Sequence, residues 1–107
     1  MGAVALLLGL ASCSAPPTST FERPVQNLRI GDDDVTVLAD GVGNSCETPK
    51  LLEVRETSTE VIVTVRIEKE GDVCRDIGIA TPLTAVIGEP LGDRALVSRC
   101  LEEVDCR

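Results

Sequence analysis

Between Thr59 and Glu68 the chain reads TEVIVTVRIE. In an extended backbone Val61, Val63, Val65 and Ile67 point to one side, and Glu60, Ile62, Thr64, Arg66 and Glu68 point to the other. Wound into a helix, the same four apolar residues would scatter around the cylinder and give no single face to bury. β-branched residues at a period of two therefore specify a strand with one face in a core. Whatever else the chain does, it must supply a second layer to cover that face.

The neighbouring segments supply candidates. Leu51–Glu56, LLEVRE, alternates Leu52 and Val54 against Glu53 and Arg55, and Thr57-Ser58 is a short polar break before the next run. Together these predict a hairpin, although no Asn-Gly signal marks its turn. Val35–Ala39 reads as a shorter strand with Val35, Val37 and Ala39 on one face, ended by the turn-forming residues DGVGN (Asp40–Asn44). Ile77–Ile87 alternates through Ile77, Ile79, Leu83, Ala85 and Ile87. Pro82 interrupts that run and calls for an edge position, a bulge or two shorter strands. Glu89-Pro90-Leu91-Gly92 has the composition of a β-turn, and Arg94–Ser98 reads as a last strand. A further short strand near Leu28–Ile30 is compatible with the pattern. Five to six strands without a long helix predict an all-β domain, a small antiparallel β-sandwich or open barrel.

Composition narrows the chemistry. The 107 residues include no histidine, tryptophan or tyrosine and one phenylalanine, and 18 acids against 10 bases give a net charge of −8. Without histidine, neither a Ser-His-Asp nor a Cys-His nucleophile can be assembled. An acidic chain without stacking aromatics also lacks the means to bind nucleic acid.

The N-terminus bears on compartment. Gly2–Ala11, GAVALLLGLA, is an uncharged, mostly apolar run. It is half the length of a membrane-spanning helix, which needs about 20 residues, and matches the core of a signal peptide. Leu10-Ala11-Ser12-Cys13 follows it, and Ser14–Thr20, SAPPTST, is polar and proline-rich in the manner of a tether. The arrangement resembles the lipobox of bacterial lipoproteins, an aliphatic residue and two small ones before an obligatory cysteine. No residue before Cys13 is charged, whereas signal peptides ordinarily open on Lys or Arg. The resemblance implies that Cys13 receives a diacylglycerol and becomes the first residue after cleavage. It divides the chain into a signal peptide (residues 1–12), a lipidated cysteine and tether (13–22) and a β-domain (23–107). The location it implies is the cell membrane, lipid-anchored, on the extracytoplasmic side.

Setting Cys13 aside leaves Cys46, Cys74, Cys100 and Cys106. An even number in a small exported domain predicts two disulfides, for which three pairings exist. Cys46 precedes the expected hairpin and Cys74 follows it, so both can lie at one end; Cys100 and Cys106 frame LEEVD, enough for a tight loop. Cys46–Cys74 and Cys100–Cys106 is accordingly the favoured set. With no CxxC pair and no histidine, neither a zinc site nor a dithiol redox site is expected. The layout of Cys46, the ETSTEV turn, Cys74 and the later PLGDR is similar to that of small exported bacterial lipoproteins over about residues 46–98. That resemblance implies fold and location, not an activity.

Few residues announce chemistry. Asp32-Asp33-Asp34 could hold calcium, but counting from Asp32 the sixth position is Val37, where an EF-hand loop needs glycine, so a solvated turn is expected. Carboxylate pairs for sugar hydrolysis can always be drawn among so many acids, and no aromatic platform accompanies them. Phe21 is expected to pack loosely where the domain begins. Gly41-Val42-Gly43 carries no nucleotide fingerprint and is expected as a loop with positive φ. Pro90–Arg94, PLGDR, is expected as a turn rather than a recognition loop. No catalytic residue, metal or cofactor is assigned. The expected function is that of a membrane-anchored envelope lipoprotein with a noncatalytic binding or accessory domain and an envelope protein as partner, the exposed edge of Ile77–Ile87 being able to accept a strand. A small carboxylate-dependent hydrolase is the alternative.

Overall fold

A computed structural model of the chain describes residues 18–107. The domain is all-β, with seven strands in two stacked sheets: β1 (Thr18–Pro24), β2 (Gln26–Ile30), β3 (Thr36–Gly43), β4 (Glu47–Glu56), β5 (Glu60–Glu70), β6 (Ile79–Val86) and β7 (Ala95–Ser98). A short 3₁₀ turn, Glu103–Asp105, lies near the C-terminus.

The alternating segment forms β5, and β5 organises the larger sheet. Along one side it pairs with β4 over nearly its whole length, from Glu47 opposite Lys69 to Glu56 opposite Val61. Its other side is shared: β1 pairs antiparallel with Thr64–Glu70, and β7 pairs parallel with Glu60–Val63. The smaller sheet runs β2-β3-β6, antiparallel throughout. The single residue Val25, itself buried, carries the chain from one sheet to the other. As the alternation requires, Val61, Val63, Val65 and Ile67 are fully enclosed, packed with Val37 and Ala39 of β3 and Leu52 of β4. Fully burying one such side chain contributes about 1.5–3 kcal/mol.

Three expectations need correction. β1 starts at Thr18, so residues 18–22, expected in the tether, lie in a sheet. Phe21 is not loosely packed but 1% exposed, in the core opposite Ile67. Its polar neighbours hide the strand from a pattern search because Glu22 and Arg23 find partners of their own. Gly41-Val42-Gly43 is strand, not a positive-φ loop. A Cβ on Gly41 would come within 2.8 Å of Pro49 and 2.9 Å of Val65, so glycine serves close approach of the two sheets. The antiparallel expectation holds except at β5–β7. Of the three options Pro82 allowed, the edge position is the one realised: β6 pairs only with β3.

Both disulfides join the expected partners, with Cα–Cα separations of 5.4 Å for Cys46–Cys74 and 5.7 Å for Cys100–Cys106. Two bridges in so small a domain point to an oxidising, extracytoplasmic compartment.

Candidate functional site

The most enclosed charge in the domain is Glu22. Phe21 faces the core, so the next residue on β1 must face outward from the larger sheet, where a carboxylate would normally be solvated. Instead Glu22 is 0% exposed, because the C-terminal segment folds over it. Glu22 Oε1 accepts hydrogen bonds from the backbone N–H of Leu101 (2.6 Å) and of Glu102 (3.3 Å). Its carbonyl accepts one from the Arg107 N–H at 2.8 Å, and Cys106 forms a parallel bridge with it. The Cys100–Cys106 disulfide closes this segment into a small loop.

Arg66, the partner of Glu22 across the β1–β5 ladder, neutralises the buried charge. Its Nη2 lies 3.5 Å from Glu22 Oε2, and its Nε donates to Glu53 on β4. The Glu53 hydrogen bond raises the Arg66 guanidinium above its ordinary pKa. Glu22 Oε2 has no hydrogen-bond partner among the described residues, so at that oxygen the ion pair with Arg66 offsets desolvation, as the Leu101 and Glu102 N–H groups do at Oε1. Two carboxylates therefore converge, but on a guanidinium that separates them, under a loop that shuts one of them from solvent. That geometry fixes the C-terminal segment to the sheet; it offers no open position for a substrate between the acids.

A second polar corner closes the gap between the sheets. Arg23 on β1 donates to the Val42 carbonyl of β3 at 2.7 Å and to both carboxylate oxygens of Glu47 on β4. The hydrogen bond from Arg23 holds the Glu47 carboxyl below its usual pKa, assisted by the Asn44 N–H and opposed by burial. The guanidiniums of Arg23 and Arg107 also sit 5.1 Å and 4.9 Å from the centre of the Phe21 ring. Neither residue type nor spacing marks Glu22, Arg66, Arg23 and Glu47 in the sequence as a set; the registers of β1 and β4 on β5 bring them together.

The residues singled out from the sequence have plainer roles. Asp33 accepts hydrogen bonds from the N–H groups of Val35 and Thr36 and from the Thr36 hydroxyl, and the Thr36 side chain does most to lower its pKa. Asp34 accepts from the Gly92 N–H at 3.1 Å. The acidic run is thus the turn that starts β3 and docks the 89–93 loop. PLGDR is a turn as well: Gly92 has φ +59°, and Arg94 donates to the carbonyls of Thr57, Glu89, Pro90 and Leu91 and pairs with Glu56. Cys13 lies outside the described residues. Two shallow clefts, of about 200 Å³ beside Lys69 and Arg107 and about 240 Å³ beside Arg23 and Asp76, are smaller than the roughly 300–1,000 Å³ of typical small-molecule sites.

Comparison with known proteins matches no family model, no curated protein and no solved structure.

Proposed function

We propose that the chain is a bacterial cell-envelope lipoprotein, held to a membrane through a diacylglycerol on Cys13, whose domain acts as a noncatalytic binding or accessory module. The observation that carries the reading is the use of the cysteines. Cys46, Cys74, Cys100 and Cys106 bond among themselves, which leaves Cys13 over, at the end of an apolar run and behind Leu10-Ala11-Ser12. The bridges support an exported protein, and the sequence around Cys13 supports lipidation rather than a third bridge.

Support for a binding role comes from how the acids are used. Glu22, Glu47, Glu53 and Glu56 are each engaged by arginine, and Asp33 and Asp34 by backbone N–H groups. β6, in contrast, has an open side. Its odd residues bond β3, a pattern continued by the Ile87 N–H to the Val35 carbonyl, so Ala80, Pro82, Thr84 and Val86 turn their backbone outward. Pro82 has no N–H to offer, so an added strand would pair on either side of it.

Expression in a bacterium supplied with labelled palmitate tests the anchor. Label is expected on the full chain and absent from Cys13→Ala. Equal labelling of the two, or none on either, would refute lipidation at Cys13.

A further inference from the structure

The two ends of the sandwich differ in charge in a way that bears on how an anchored domain sits. At one end lie Thr18, opposite Glu70; Lys69, opposite Glu47; and Gly43, opposite Ile79. The loop that follows Glu70 is held there by the Cys46–Cys74 bridge, by Arg75 N–H to Ser45 Oγ at 2.6 Å, and by Glu70 N–H to the Cys46 carbonyl at 3.0 Å. Val73 stands 98% exposed on this stapled loop, with Ile77 and Ile79 half exposed behind it. A wholly exposed valine on a disulfide-held loop gains nothing in water. Acids and bases are equal in number in this set, Glu70, Asp72 and Asp76 against Lys69, Arg75 and Arg107, and none of these three bases forms a side-chain ion pair among the described residues.

At the other end, where Thr36 pairs with Val86 and Ile30 with Val37, the loops 31–34 and 88–93 carry Asp32, Asp33, Asp34, Glu89 and Asp93, and the adjoining Arg94 is paired with Glu56. A domain resting on an anionic surface would turn this end away.

Chain length decides which end is near a membrane. Thr18 is five residues after Cys13 and begins β1 at the neutral end. Five residues reach at most about 18 Å even when fully extended. Building on the lipoprotein reading, we propose that the stapled end, with Val73 at its tip and Lys69, Arg75 and Arg107 around it, rests on the bilayer surface, and that the acidic end faces away.

The absence of tryptophan from the chain makes this measurable with one reporter at a time. Val73→Trp and, at the far end, Glu89→Trp are introduced into the full chain, produced in a lipidating bacterium and reconstituted in phosphatidylcholine–phosphatidylglycerol vesicles with brominated acyl chains. The lipid on Cys13 is read in parallel by mass. Where lipid is present, the proposal expects a blue shift and several-fold stronger quenching at position 73 than at 89. Lipidated protein with equal or reversed quenching overturns the orientation and leaves the anchor intact. Protein without lipid overturns both. Circular dichroism of each variant, matched to the parent chain, confirms that the reporter has not unfolded the domain.

Discussion

The same task, joining the ends of two stacked sheets, is done covalently at one end of this sandwich and electrostatically at the other. Near Thr18 the β3–β4 turn and the β5–β6 loop are tied by Cys46–Cys74. At the far end a single side chain, Arg94, binds the β4–β5 turn to the 89–91 loop. It donates to four carbonyls and pairs with Glu56, which in turn accepts the Gly88 N–H at 2.8 Å. A disulfide acts chiefly by restricting the unfolded chain, whereas the Arg94 hub acts only in the folded one. The first is indifferent to salt and acid but vulnerable to reductant; the second is the reverse.

The largest effect is expected at the covalent end. Replacing Cys46 and Cys74 together by alanine should cost about 3–4 kcal/mol, the loop-closure value for a separation of 28 residues. Urea titration with and without reductant checks it. A loss that salt modulates strongly would erase the contrast between the ends. At the other end, Arg94→Ala removes the ion pair to Glu56 Oε1 and the side-chain donor to the carbonyls of Thr57, Glu89 and Pro90, and should cost about 2 kcal/mol. An unchanged denaturation midpoint would mean that the hub is ornamental.

The smallest effect concerns acid. Glu47 is held below its ordinary pKa by Arg23, so its contribution is fully present above the unfolded-state value and is lost as pH falls through the folded one. Partial exposure of Arg23 keeps that contribution under about 1 kcal/mol. Glu47→Gln should therefore flatten the acid limb of a stability-against-pH curve and leave neutral stability slightly lower. A steeper acid limb in the variant would reverse the assigned sign.

β5 was legible because one face of it meets only apolar neighbours, and the cysteine pairs were legible because the β4–β5 hairpin brings Cys46 and Cys74 to one end. β1 was not, since Glu22 and Arg23 are polar residues whose partners, Arg66, Glu47 and the C-terminal loop, are distant in sequence. Gly41 and Gly43 suggested a turn because small residues serve both turns and close sheet contacts. No periodicity signals that β7 runs parallel to β5, because that pairing depends on where the PLGDR turn delivers the chain. As for the candidate site, Asp32–Asp34 and PLGDR stand out by composition and are turns, whereas Glu22 is distinguished only by its burial.

The central claim, an exported domain with four cysteines in bridges and the fifth carrying lipid, is tested most directly by the intact mass of the protein extracted from bacterial membranes under nonreducing, thiol-blocking conditions. The account predicts a chain that begins at Cys13, carries a diacylglycerol, takes up no blocking reagent, and is lighter by the four hydrogens lost in forming two disulfides. A chain that retains residues 1–12 and has five blocked thiols would contradict it.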